Sequence, residues 1–530
     1  MSAPRSRPGA GGPRHVQPAT VEVGTSGVTA DDVVAVARED APVGLTKEAL
    51  GAMATTRATV ERLADAPEPA YGISTGFGAL ATRHIPPELR DDLQLSLIRS
   101  HAAGMGPPVE REVVRALMFL RMKTLASGRT GARPVLAETL ARMLNAGITP
   151  VVPEQGSLGC SGDLAPLAHC ALVLMGEGEV VAGEGAGRIP ATDALAAGGI
   201  APVRLAAKEG LALINGTDGM LGMLVLGIRD LELLCRTADV TAAMSVEALL
   251  GTDQAFRPEL HAPLRPHPGQ VASADNMFRV MAGSAIVASH RTGDTRVQDA
   301  YSCRCAPQVA GAVRDTMTHA TSVAERELAS AIDNPVVLEN GDVSSNGNFH
   351  GAPLGYAMDF LAIAIADLGS IAERRTDRLL DRNRSHGLPP FLAADPGVDS
   401  GLMIAQYTQA AMVSENKRLA VPASVDSIPS SAMQEDHVSM GWGAGRKLRR
   451  AVDNLRRILA VELVTAARAL ELRAPNAPAP ATAAVVRRLR EVVPGSGRDR
   501  FTSPELAAAE AFVASGSVVD AAASVAGPIR

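Results

Sequence analysis

The sequence predicts an all-α protein: a long central helix bundle with a mixed, mainly helical N-terminal part that carries the candidate site loops. Three observations predict it. Hydrophobic residues make up 46% of the chain but aromatic residues only 3%. The apolar content is therefore mostly Ala, Leu, Val and Met, which favours helices over strands. Long stretches repeat apolar positions every three or four residues, and few short alternating runs compete with them. Charged residues stand at 20%, the balance of a globular chain with a substantial core.

In chain order, residues 1–20 read as a disordered tail, rich in Arg, Pro and Gly and without the apolar run of a secretory signal. Residues 21–210 form the N-terminal part. Thr29 to Leu63 has helical spacing, interrupted by a turn at Pro42-Val43-Gly44. Tyr71-Gly72-Ile73-Ser74-Thr75-Gly76-Phe77-Gly78 is a loop; no Lys follows it, so a phosphate cradle is disfavoured and a loop that carries one functional side chain is preferred. Glu88 to Met122 is helical with a break near Gly104-Met105-Gly106-Pro107-Pro108, and Ser100-His101 closes its first half. Leu164–Met175 is a helix, and Gly176–Gly185 suits a small hairpin around Val180-Val181.

Residues 211–475 read as the central bundle. Leu211 to Leu250 is apolar nearly all round, the mark of a core helix, and similar patterns occupy 354–380, 403–419 and 452–472. Residues 476–530 form a weaker C-terminal helical region after Pro475-Asn476-Ala477-Pro478. No stretch is expected to span a membrane, which takes roughly 20 apolar residues. A net charge of -6 gives no reason to expect nucleic acid or an anionic membrane as partner. Five cysteines without framework spacing suit a reducing cytoplasm. Cys303 and Cys305 lack the partner pair of a zinc site, and no His-Glu-x-x-His helix occurs, so no metal is expected.

The stretch Gly159-Cys160-Ser161-Gly162-Asp163-Leu164-Ala165-Pro166 has two readings. In the first, it is a Ser-Gly-Asp turn in which Asp163 caps the following helix, with Pro166 in its first turn. In the second, the backbone makes an electrophile. Gly162 has no Cβ and can bend so that its nitrogen attacks the Cys160 carbonyl; loss of water closes a five-membered ring, and dehydration of Ser161 leaves an exocyclic methylidene. The start of the helix would favour negative charge there.

The company this stretch keeps bears on the choice. Tyr71–Gly78, Arg99-Ser100-His101, Gly159–His169, Leu213-Ile214-Asn215-Gly216-Thr217, Val297–Cys305, Asp333-Asn334-Pro335, Asn348-Phe349-His350, Ser414-Glu415-Asn416-Lys417 and Gln434–Met440 follow one another in order. Together they resemble the aromatic amino acid ammonia-lyase and aminomutase family over about residues 21–515. The likeness is strongest to its histidine-specific, actinobacterial branch. In that family Ser-His at 100–101 goes with histidine, His-Leu with tyrosine and Phe-Leu with phenylalanine, and an acid at Glu415 goes with histidine as well. The chemistry is consistent: an imidazole needs polar partners, and an apolar ring would leave them unpaired.

The resemblance implies a carbon-nitrogen lyase that eliminates ammonia from L-histidine, without oxidation, to give trans-urocanate, the first step of histidine degradation. It implies a methylidene-imidazolone (MIO) group formed from Cys160, Ser161 and Gly162, with no diffusible cofactor. Tyr71 matches the family's base, with Glu415 the alternative, and Tyr301 a second site tyrosine. Arg304 and Asn334 would hold the substrate carboxylate, and a guanidinium suits that by its bidentate geometry. Asn215 would bond the prosthetic group, and His101, Gln298, Phe349 and Gln434 would line the site. A cytoplasmic homotetramer with shared active sites is implied too. Three positions depart from the common pattern: Cys160 where Ala is usual, Ser74 for Asn, and Val421 for His. Competing readings are a tyrosine or phenylalanine lyase or aminomutase, a fumarase-like helical lyase with a serine base, and an inactive helical scaffold. The scaffold predicts loss of Ser161, Gly162 or Tyr71, and all three are present.

Overall fold

The structure, a computed structural model, describes residues 18–76, 78–182 and 187–530. Most of the expected tail, Phe77 of the tyrosine loop, and Gly183-Glu184-Gly185 of the hairpin lie outside the described residues. The chain forms two compact units: one of residues up to Gly156 with Leu164–Gly219 and Leu328–Asn348, the other of Ser157–Asp163, Met220–Glu327 and Phe349–Arg530.

The first unit is mixed but mainly helical. Thr29 caps the helix Ala30–Arg38 in a reciprocal box with Asp32. The chain then does not turn at 42–44 as expected. Val43–Leu45 is a short strand, parallel to Val21–Val23, and the Asn145 amide brackets Val43 on both backbone groups at 2.8 and 3.0 Å. Three residues are too few to show a period in sequence. The predicted break near 104–108 is likewise a strand, Met105–Pro108, lying against Pro153–Gln155 between the helices Arg90–His101 and Arg111–Ala126. Glu179–Val181 pairs antiparallel with Arg188–Pro190, the hairpin expected there.

The expected helix from 211 to 250 is broken in two, Glu209–Ile214 and Asp218–Ala248, around Asn215-Gly216-Thr217. The apolar run hides the break. Gly216 sits where a Cβ would collide with the Arg121 guanidinium and the Asp218 carboxylate. That close approach is what only glycine permits.

The second unit is helical; among the described residues every paired strand belongs to the first. Its centre is the helix Ala352–Leu380, packed along Gly441–Glu471 and against Met403–Leu419. Leu361, Ile365, Leu368 and Ala372 meet Leu455, Ile458, Leu459 and Leu463 in a dry core. Burying each such leucine or isoleucine contributes about 1.5–3 kcal/mol. The helix at 441 starts eleven residues before its predicted first residue, Val452, because three glycines and four basic residues in 441–450 interrupt the apolar spacing there. Contrary to the hydropathy expectation, Ala352–Leu380 is long and apolar enough to cross a membrane by length and composition; 61% of its apolar window is buried in the protein, as in a core helix.

Candidate active site

The piece Ser157–Asp163 is a bent loop held from several sides within the second unit. Ser439 Oγ donates to the Gly159 carbonyl at 2.7 Å, and the Met440 N–H donates to Leu158 O at 2.8 Å. Gly159 has φ of +62°, and a Cβ there would meet the Ser439 hydroxyl and Met220. Asp163 is fully buried; its carboxylate accepts from Ser157 Oγ at 3.1 Å and from the Met220 N–H at 2.9 Å. It thus serves the first turn of the helix Asp218–Ala248.

Between these anchors Gly162 takes φ of +78°, a conformation that costs a side-chain-bearing residue roughly 1–2 kcal/mol. Cys160 is buried, and burial first, then the Glu435 carboxylate, push its thiol up to about 12. A thiol so raised stays protonated near neutrality and is a poor nucleophile. The stretch therefore fits a prosthetic group made from its own backbone: a glycine is free to bend, the cysteine side chain is out of play, and both ends are fixed.

Gln434–Gly441 lies on this loop through Ser439 and Met440 and brings Glu435 to it. Glu435 lies near enough to the Cys160 thiol for its charge to raise it, and its Oε2 accepts from Ser430 Oγ at 3.1 Å. Gln434 is exposed beside it. Sequence reasoning quoted the Gln434–Met440 motif but passed over Glu435 and Ser439. The signal was an acid and a hydroxyl inside a motif already singled out.

Glu415 is placed differently. It lies on Met403–Leu419, where Asn454 Nδ2 donates to it at 2.8 Å and Arg450 pairs with it at 3.2 Å. Those two groups, Asn454 first, hold its carboxyl below the usual range. A general base near neutrality needs the opposite shift. Glu415 is an ion-pair partner on a helix surface, and Glu435 is the acid beside the tripeptide.

Tyr301 and Arg304 sit on one helical turn, Tyr301–Arg304, with the guanidinium 4.6 Å from the ring centroid. The ring is 72% exposed. Arg304 Nε is buried without a hydrogen-bond partner among the described residues, a donor that an incoming carboxylate would satisfy. Gln298 is exposed on the preceding strap, and Phe349 is half-buried at the end of its own segment.

The first unit carries Tyr71, His101, Asn215 and Asn334. Asn215 Nδ2 donates to Asn334 O at 2.8 Å, a contact between two residues that the motifs single out separately. Asn334 Oδ1 accepts from Ser345 Oγ at 3.0 Å and from the Asn346 N–H at 2.9 Å, which points its amide N–H2 to a further acceptor. Beneath it, Lys208 and Asp333 form a fully buried pair at 2.5 Å, and Asp333 Oδ1 accepts from the Asn334 N–H at 2.8 Å. Arg121, buried and paired with Asp218, donates to Ala212 O at 3.1 Å and fixes the break that releases Asn215.

Tyr71 opens its loop with its phenol oxygen accepting from the Gly78 N–H at 3.4 Å. His101 ends its helix with Nδ1 2.9 Å from Leu97 O and 3.2 Å from Ser100 Oγ. Just beyond it, His169 Nε2 accepts from the Gly104 N–H at 3.1 Å. Among the described residues no three His, Cys, Asp or Glu side chains gather as a metal-ion site.

Comparison with known proteins meets this geometry at the level of the whole chain. A family model, aromatic amino acid lyase, matches residues 28–491. The chain belongs to the aromatic amino acid lyase family. Among the family's members it is 69% identical over 512 residues to the histidine ammonia-lyase of Streptomyces coelicolor, covering 96% of this chain and 100% of that one. The crystal structure of tyrosine aminomutase from Streptomyces globisporus superposes with a TM-score of 0.89 at 38% identity, over 96% of this chain and 99% of that one. Histidine ammonia-lyase from Trypanosoma cruzi does so with a TM-score of 0.87 at 36% identity, over 96% and 95% of the two chains. The all-α fold expected from apolar spacing is thus the family's fold.

Proposed function

We propose that this chain is a histidine ammonia-lyase, releasing ammonia from L-histidine and leaving trans-urocanate at the entry to histidine breakdown. The observation that carries the reading is Glu435 beside the Cys160-Ser161-Gly162 loop, in a chain that also has Ser100-His101. An imidazole can donate to that carboxylate and accept from His101, whereas a phenyl ring would leave both unpaired.

The MIO group, when formed from Cys160, Ser161 and Gly162, supplies an electrophile for the substrate amine. The chain's own residues do the rest. Arg304, with its open Nε, takes the substrate carboxylate, and the Asn334 amide is the second donor to it. Asn215 would bond the prosthetic group, its own amide ordered through Asn334. Tyr71 removes the β-proton, its phenol oxygen facing the Gly78 N–H. Tyr301 stays close to the reacting atoms, Phe349, Gln298 and Gln434 line the pocket, and Glu435 takes the role first given to Glu415, holding the imidazole in place.

The active form in this reading is a cytoplasmic homotetramer with shared sites. All five cysteines are free thiols, which suits a reducing compartment. The Tyr301 ring and the apolar side chains of Tyr356, Phe360, Ile404 and Tyr407 are 49–72% exposed, more than one soluble chain usually leaves bare.

The test is steady-state turnover of purified protein with L-histidine, L-tyrosine and L-phenylalanine in parallel. We expect urocanate absorbance with histidine and kcat/KM at least ~100-fold higher than for the other two, the selectivity of a site built on hydrogen bonds. Coumarate, cinnamate or a β-amino acid as the main product would assign the chain to the tyrosine or phenylalanine branch.

A further inference from the structure

The turn Tyr301–Arg304 is four residues long and leads through Cys305 into the helix Ala306–Ala329, with the Cys305 N–H donating to Tyr301 O at 2.9 Å. Its next carbonyl is held from outside the turn. Ser302 O, between the two site side chains, accepts from Arg375 Nη1 at 3.2 Å. Arg375 lies on Ala352–Leu380 with its side chain 1% exposed, and its Nε and Nη2 grip Glu462 at 2.5 and 3.2 Å. Glu462, fully buried on Gly441–Glu471, also accepts from Thr241 Oγ1 at 2.8 Å and Ser245 Oγ at 3.0 Å on Asp218–Ala248. Three core helices therefore meet at the Glu462 carboxylate, and the remaining arm of the guanidinium it holds ends on the backbone under Tyr301.

We propose that Arg375, oriented by Glu462, is a positioning residue for Tyr301 and Arg304. Stability alone does not account for the pair. A buried ion pair is commonly matched or bettered by apolar residues of equal volume. Apolar residues could not donate to Ser302 O. The guanidinium fork can hold a carboxylate with two arms and a carbonyl with the third, which a lysine ammonium on a shorter stem does not reproduce. Cys303, the inward residue of the same turn, is buried and within electrostatic reach of Arg375, so the turn is fixed at its core side while Tyr301 and Arg304 project.

The consequence for turnover rests on the histidine-lyase reading; the anchoring itself does not. Arg375→Lys keeps the charge and loses the arm to Ser302. We expect its thermal midpoint to stay near wild type while backbone amides of residues 300–305 exchange with deuterium about 10-fold faster or more. For L-histidine, KM rises and kcat falls, with a combined loss in kcat/KM of roughly 10–100-fold, the cost of misplacing site groups by about an ångström. Simple loss of folded enzyme would lower kcat at constant KM. The double replacement Arg375→Met with Glu462→Met, which leaves no buried charge behind, is the second variant should the lysine form fold poorly, and the same changes are expected of it. Wild-type exchange across 300–305 overturns the anchor, whatever the activity. Faster exchange with unchanged KM and kcat overturns the positioning role. A wild-type protein that leaves histidine untouched removes the functional reading, and the exchange result still decides the anchor.

Discussion

In the proposed function Asn334 of the first unit and Tyr301 of the second both serve the substrate, yet they are held in contrasting ways. Asn334 sits in a closed frame: Lys208 and Asp333 are fully buried beneath it, its own Oδ1 has two donors, and Asn215 reaches its carbonyl. Tyr301 stands with most of its ring exposed, beside an exposed Gln298 and the 99% exposed Val297. The first arrangement is finished inside one chain. The second lacks the surroundings that would keep water from a reacting centre, and we take those to come from other copies of the chain. Under the proposed function, Asn334 is ordered by folding alone and Tyr301 is left for assembly to cover.

The largest effect should come from breaking the closed frame. Lys208→Met leaves Asp333 charged and buried without its partner, and the expected loss of stability is about 3–5 kcal/mol. Denaturant unfolding would measure it, and a change below ~1 kcal/mol would mean the frame is not what orders Asn334. Next comes the choice between two acids. Glu435→Gln should lower kcat/KM for L-histidine by roughly 10–100-fold, the worth of a charge-assisted hydrogen bond. Glu415→Gln should change it by less than ~3-fold, as for an exposed ion pair. The reverse order would restore Glu415 to the site.

A smaller effect is expected at Cys160. Its protonated thiol takes no part in the chemistry, so Cys160→Ala should stay within ~3-fold of wild-type kcat and within about 1–2 kcal/mol of its stability. Rapid alkylation of Cys160 at pH 8 would contradict the raised thiol. The smallest effect tests the loop beyond His101. Burial lowers the His169 pKa from its ordinary value near 6.5, so the folded protein resists protonating it. Its stabilising contribution is whole above that ordinary value and is lost as pH falls from there toward the folded pKa. His169→Gln should therefore flatten the acid side of a stability-against-pH curve and leave it unchanged above pH 7.

Much of the fold was legible because apolar periodicity is a local signal. Met403–Leu419 has the bounds its pattern predicts, and Ala352–Leu380 begins two residues before its pattern. What escaped was set by tertiary contact. The break at Asn215–Thr217 lies inside an unbroken apolar run and depends on Arg121, far away in sequence. Strands of three or four residues show no period. At the site, motif order singles out Cys160-Ser161-Gly162, Asn215, Asn334, Tyr301 and Arg304, and the fold brings Asn215 to Asn334 and Arg304 to Tyr301. The motifs point to Glu415 and give Glu435 no distinction. Each acid adjoins an amide residue in a quoted motif, and only the folded chain shows that one faces Arg450 and the other Cys160.

The central claim is that Cys160, Ser161 and Gly162 become the reagent the other residues surround. The mass of the proteolytic fragment spanning residues 157–175, from native protein, tests it most directly. We expect that fragment to be lighter by two waters in the wild type and of full mass in Ser161→Ala. A full-mass fragment from wild-type protein that turns over histidine would contradict the account.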